Sequence, residues 1–94
     1  MEFELTNRGG EEYAFQHKEG EHVDAEISWT QLGDVMVVEH TFVDDSLRGQ
    51  GVAKQLLNRA ADFAREKNYK IEAVCSYVVA SFDKSTDYDD VKVS

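Results

Sequence analysis

The sequence predicts an α/β (α+β) domain. Its sheet is mixed and mostly antiparallel, with a parallel strand pair at one end, one long helix and one short C-terminal helix. Three observations carry this. Residues 22–29 alternate apolar and polar, the period of a half-buried strand. Val35-Met36-Val37-Val38 is apolar at every position, as expected for a central strand covered on both faces. From Val52 the period changes to 3.6 until Lys67, and an apolar strand follows, so a helix crosses between two strands that lie parallel by the right-handed rule. Ninety-four residues suit a single small domain, 1–94.

Taken in order, Phe3 to Thr6 is a short strand and Asn7-Arg8-Gly9-Gly10 a turn. Glu12 to His17 alternates, with Tyr13 and Phe15 on one side and Ala14 and Gln16 on the other. Lys18-Glu19-Gly20-Glu21 is a hairpin connection. The strand His22 to Trp29 places Val23, Ala25, Ile27 and Trp29 on one face and Asp24, Glu26 and Ser28 on the other. Leu32-Gly33-Asp34 turns the chain into the strand Val35–Val43. Asp44 to Leu47 then leaves the sheet. The helix Val52–Lys67 carries Val52, Leu56, Leu57, Ala60, Phe63 and Ala64 on one stripe, and Asn68 suits its C-cap. Lys70 to Ser76 is the second core strand, with Ile71, Ala73 and Cys75 on one face, and Tyr77 to Phe82 the short helix. The acidic end, 83–94, is held by Tyr88 and Val91.

Chemistry concentrates at Arg48-Gly49-Gln50-Gly51-Val52-Ala53, between the strand and the helix N-terminus. First-turn N–H groups have no partner inside a helix, and the helix dipole adds partial positive charge there. Glycine lets the backbone approach an anion and adopt φ > 0. The dinucleotide fingerprint G-x-G-x-x-G is not met, because Lys54 stands where its third glycine belongs. The G-x-x-x-x-G-K-[ST] phosphate loop is absent. An ordinary strand-to-helix turn also uses glycines, but strand before, helix after and strand beyond favour an anion site.

Charge is unevenly placed. Residues 48–70 sum to +4 and the remainder to −13, within a net charge of −9. The overall acidity argues against a general nucleic-acid binder. Lys54 sits at the positive end of the helix dipole, a small cost that a bound phosphate would reverse. No apolar run reaches membrane-spanning length, the first residues are acidic rather than a basic signal region, and the single cysteine forms no internal disulfide. These features favour a cytoplasmic setting. The His, Cys and acidic spacings match no metal ligand set.

Arg48, Gly51 and Ala53 fit the pattern [Gln/Arg]-x-x-Gly-x-[Gly/Ala]. Together with Glu39-His40-Thr41-Phe42-Val43, Leu47 to Lys54, and Cys75-Ser76-Tyr77-Val78, they make the chain similar, over nearly its whole length, to the small single-domain GNAT-like N-acetyltransferases of the YjdJ type. Phe42 stands where an acidic residue is common in that family, and Ser76 where proline or an aromatic residue is. The resemblance implies a minimal GNAT fold with acetyl-CoA as co-substrate and no metal. It implies that backbone amides of Arg48, Gly49, Gln50, Gly51, Val52, Ala53 and Lys54 hold the pyrophosphate. The strand edge at Thr41 and Val43 would pair with the pantetheine arm, the Thr41 N–H facing the thioester carbonyl. Transfer would go to an amine acceptor. The two helices that usually shape the family's acceptor pocket are missing, which suits an extended or protein-borne amine. A non-catalytic acetyl-CoA or CoA-binding module is the alternative.

Three side chains are catalytic candidates. Cys75, at the end of the second core strand, can serve as acid or nucleophile, or simply fill space as a small buried side chain. Glu39 and His40 can each deprotonate an amine, directly or through water. Adjacent on a strand, they face opposite ways, Glu39 with Thr41 and His40 with Phe42. No tyrosine stands within Val78–Phe82 to protonate a leaving thiolate, and Tyr77 lies at the helix start.

Overall fold

Four strands run as a meander ahead of the long helix. In the computed structural model, which describes residues 1–93, they are β1 (Glu4–Gly9), β2 (Glu12–Glu19), β3 (His22–Leu32) and β4 (Val35–Val43). Ser94, the last residue of the predicted span, lies outside the described residues. A 3₁₀ turn (Asp45–Leu47), helix α1 (Val52–Lys67), strand β5 (Lys70–Ala73) and helix α2 (Ser76–Lys84) complete the order. The sheet order is β1-β2-β3-β4-β5, antiparallel up to β4 and parallel between β4 and β5. This is the predicted mixed sheet.

Two elements begin and end at the residues that the sequence names, β4 and α1. The stripe of α1 buries Val52, Leu56, Leu57, Ala60 and Ala64, and also Ala61, while Phe63 is half-buried at its margin. Asn68 closes the helix in the left-handed conformation at φ 60°, and the Tyr69 N–H reaches back to the Ala64 carbonyl at 2.8 Å. The stripe packs on Trp29, Phe15, Ile27, Met36 and Val38. Phe63 meets Phe15 edge-on at 5.5 Å, and the Arg59 guanidinium lies 4.6 Å over the Phe15 ring.

Three expectations are corrected. The strand β4 lies inside the sheet, between β3 and β5, but is covered by helices on one face only. Met36 and Val38 are buried under α1, whereas Val35 and Val37 are half-buried on the other face. Both crossovers, β4–α1–β5 and β5–α2 to the tail, step the same way across the sheet, so right-handed connections put both helices on the same side. Lys70 and Glu72, on the opposite side of β5, are exposed accordingly. Second, β5 ends at Ala73 rather than Ser76. The Val38 carbonyl accepts both the Val74 N–H (3.0 Å) and the Cys75 N–H (2.9 Å), which turns the chain out of the sheet. Cys75 therefore caps α2 instead of lying on a strand. Third, a β-bulge interrupts the β3–β4 ladder. Ser28 pairs with His40 and Trp29 with Val38, leaving Glu39 unpaired.

The C-terminal segment does more than tack down. Tyr88 and Val91 are buried, as expected. In addition the Ile71 N–H donates to the Val91 carbonyl at 2.6 Å and the Val93 N–H to the Ile71 carbonyl at 3.0 Å, a parallel bridge on the free edge of β5. Arg65 on α1 binds Asp90, Asp62 and the Asp87 carbonyl. The Tyr88 hydroxyl donates to Asn58 Oδ1 at 2.5 Å. Burial, then the neighbouring Tyr77 and Asp87, push that phenol above its ordinary range, so it remains a donor.

Candidate functional site

The parallel pair β4–β5 is short. Its last rung joins Val38 to Ala73, after which β5 turns away and β4 continues alone from Glu39 to Val43. The sheet splays open at this point, the position where open sheets admit ligands. The Asp44 N–H bonds across to the Asp24 carbonyl on β3 at 2.7 Å. Backbone groups alternate direction along a strand, so those of Val43 and Thr41 face the gap. The Val38 carbonyl faces the same way, three residues before Thr41. An odd step is possible because the bulge at Glu39 resets the alternation.

The loop after β4 is held in place by Asp44. Its carboxylate accepts from the Ser46 hydroxyl (2.6 Å) and the Ser46 N–H (3.2 Å), which hold it below the usual carboxylate range. Gly49 (φ 82°) and Gly51 (φ 69°) adopt the left-handed conformation. A Cβ on Gly51 would meet nothing within 4 Å, so glycine is required there by the backbone angle and not by space. Gly51 is also the N-cap of α1 and supplies no side-chain cap. The N–H groups of Val52, Ala53 and Lys54 consequently point out of the helix with no partner inside it.

Splay and loop border one open groove of about 490 Å³, lined by Thr41, Phe42, Val43, Asp44, Asp45, Arg48, Ala53 and Tyr77. Four of the predicted binding residues, Thr41, Val43, Arg48 and Ala53, are among these. The Arg48 side chain pairs with Asp45 at 2.8 Å on the surface. Gly49, Gln50 and Gly51 form the turn itself, and the Gln50 carbonyl accepts from Gln55 Nε2 at 3.3 Å. Val52 buries its side chain in the core, so only its N–H is available to a ligand. Lys54 is exposed on the first turn.

The three catalytic candidates are not gathered in one place. The Cys75 thiol, half-buried, donates to Thr41 Oγ1 at 3.4 Å across the gap, on the helix side of the sheet. Glu39 and His40 are exposed on the side without helices. Glu39 accepts from the Thr30 hydroxyl at 2.7 Å, and His40 stands opposite Ser28. The expected sharing of a face by Glu39 and Thr41 is overturned by the bulge, which puts Glu39 and His40 on the same side and Thr41 on the other. Tyr77 is the groove residue that sequence reasoning undervalued. The signal was its place in the first turn of α2, directly after Cys75 and Ser76. No group of three or more metal-ligating side chains occurs among the described residues.

A family model for GCN5-related N-acetyl-transferase matches residues 12–91. The NMR structure of a GCN5-like protein from Staphylococcus aureus superposes with a TM-score of 0.71 at 34% identity, covering 97% of this chain and 88% of that one. The fold extends to the ribosomal-protein-S18-alanine N-acetyltransferase of Escherichia coli, with a TM-score of 0.66 at 16% identity over 82% of this chain and 53% of that one. The Protein NATD1 of Xenopus tropicalis is 37% identical over 60 residues, 63% of this chain, and the match spans about half (55%) of its length. With the family model covering most of its length, and the splayed sheet and glycine loop in place, the chain belongs to the GCN5-related N-acetyltransferase family.

Proposed function

We propose that the protein is an N-acetyltransferase that takes acetyl-CoA as acyl donor and an amine as acceptor. The observation that carries this is one groove bordered by both an uncapped, positive-φ glycine start of α1 and the unpaired edge of β4. The N–H groups of residues 52–54 suit a pyrophosphate, and the Thr41 and Val43 backbone suits an amide-bearing arm. Membership of a family that uses acetyl-CoA supports the choice of donor.

The chemistry is direct transfer. The acceptor nitrogen attacks the thioester carbonyl carbon, and the new C–N bond forms through a tetrahedral intermediate. Its oxyanion is stabilised by a backbone donor on the β4 edge, the Thr41 N–H. The C–S bond then breaks. The amine proton passes to a base on the open side, His40 or Glu39, and the CoA thiolate takes a proton from Cys75 or Tyr77. The Cys75 thiol, bonded to Thr41 Oγ1 at 3.4 Å on the edge of the gap, supports an acid role for this residue.

Calorimetric titration with acetyl-CoA and CoA tests this. Saturable binding is expected, weakened at least tenfold in Arg48→Glu. Intact-mass analysis after incubation with acetyl-CoA is expected to show no stable acetyl group on Cys75. Absence of binding at millimolar ligand would overturn the reading. Binding without transfer to any amine would leave a CoA-binding module.

A further inference from the structure

We propose that a ring-lined cavity at the C-terminal end of α1 binds a small planar aromatic carboxylate, its ring against Trp29 and Tyr13 and its carboxylate at Lys67. The cavity has no part in the acetyl transfer proposed above, and its occupancy does not depend on that reading.

The cavity arises from the way α1 crosses the sheet. The helix packs chiefly on β3, β4 and β5, which leaves the helix side of β1 bare. Leu5 on that strand is accordingly 46% exposed. Phe63 and Lys67, one helical turn apart, and Tyr69, just past the Asn68 cap, close this corner into a cavity of about 250 Å³.

Its walls are rings. Tyr13 and Trp29 pair directly across β2 and β3, with their planes 23° apart and their centroids at 6.1 Å. Phe63 stands 5.8 Å from Trp29 at 47°, and 6.0 Å from Tyr69 at 65°. The near-parallel pair offers a flat surface and the tilted pair offers edges. A planar ring meets both in the offset-stacked and edge-on arrangements that aromatic groups prefer. An apolar cavity of about 150 Å³ is enough for benzene, so this one has room for a ring with a short acidic arm.

The polar groups set the charge of the guest. Four other surface cavities each have a carboxylate in their lining, with Asp62 in one, Asp45 in the groove at the splay, and Asp90 and Asp83 in the other two. In a chain with 19 acidic residues, this lining has none. Its one charged side chain is Lys67, whose ammonium lies 5.9 Å over the Phe63 ring. Arg59 and Arg65 on the same helix are paired with carboxylates, whereas Lys67 has no such partner among the described residues. Gln31 is engaged at both ends: Oε1 accepts from Trp29 Nε1 at 3.0 Å and Nε2 donates to the Gly33 carbonyl at 2.9 Å. The hydroxyls of Tyr13 and Tyr69, unlike that of Tyr88, have no hydrogen-bond partner among the described residues. What remains free around the rings is an ammonium and phenols, all of them donors. Aromatic walls by themselves would also suit a cation. Lys67 already occupies the Phe63 face and repels a second cation well within a Debye length. The glycine turn stands at the other end of α1, about 24 Å away along its 16 residues, so a guest here leaves the groove free.

The test is a titration of the whole chain with phenylacetate, followed by amide and indole N–H shifts in NMR spectra. The control is 2-phenylethylamine, which carries a like ring and the opposite charge. The chain has one tryptophan, so the Trp29 indole N–H is a single signal inside the site. Phenylacetate is expected to shift it saturably, together with the Phe63 to Tyr69 amides, and to bind at least tenfold more tightly than the amine. Lys67→Glu, a change at an exposed position, should reverse that order. Equal or tighter binding of the amine by the parent, an order unchanged in Lys67→Glu, shifts centred on the glycine turn instead of Trp29, or no saturation at millimolar phenylacetate would each overturn the proposal.

Discussion

Gly51 combines two demands in one residue. It must take φ 69° to turn the chain from the loop into α1, and as an N-cap it leaves the first-turn N–H groups without a side-chain cap. Substitution separates the demands. Gly51→Asn tolerates the left-handed angle and is expected to be nearly as stable as the parent. Gly51→Ala should lose roughly 1–2 kcal/mol, and Gly51→Val more. Urea unfolding gives the order. Since a Cβ meets no atom within 4 Å, an equal loss for all three would mean that the angle is not what the position requires. The Asn side chain would cap the helix and compete for the same N–H groups, so Gly51→Asn should still weaken CoA binding.

Among the elements, the C-terminal segment depends on α1 through Arg65, which holds Asp90 with Nε at 2.7 Å and the Asp87 carbonyl with an Nη at 2.8 Å. That contact keeps the Asp90 carboxyl below the usual carboxylate range, chiefly through the hydrogen bond from Arg65. A carboxylate lowered by folding stabilises above its unfolded value and loses that contribution as pH falls through the folded one. The tether should therefore hold at neutral pH and weaken below about pH 4. Hydrogen-exchange protection factors at the Ile71 and Val93 amides read it, once corrected for the slower intrinsic exchange in acid. Protection should fall in acid in the parent, and in Arg65→Ala it should already be low at neutral pH with little further acid response. What could be read from the sequence divides along the same lines. The bounds of α1 and its Asn68 cap follow from spacing and local chemistry within one segment. The bulge at Glu39, the early end of β5 and the Ile71–Val91 pairing depend on partners in other segments. Which carbonyl takes which N–H is a property of the assembled ladder, and apolar spacing does not encode it.

On the scale of the whole molecule, the helices and the core occupy one face of the sheet and leave the other face polar. The alternation in His22–Trp29 announced that asymmetry, but the apolar run Val35–Val38 suggested two covered faces, because half-burial by neighbouring strands and burial under a helix look alike in sequence. The glycine turn into α1 was legible because its signal is local. The separation of Cys75 from Glu39 and His40 was not, since a single unpaired residue reverses which way the following side chains point.

The splay between β4 and β5 has one further consequence. It opens toward the glycine loop and also toward the bare face, so it is a window with two doors. Donor and acceptor need not wait for each other to enter or leave, and neither has to pass through the other's doorway. If the protein catalyses the proposed transfer, it should work through a ternary complex assembled in either order, with double-reciprocal plots that intersect. A covalent acetyl-cysteine, discharged before the second reactant arrives, would draw parallel lines instead.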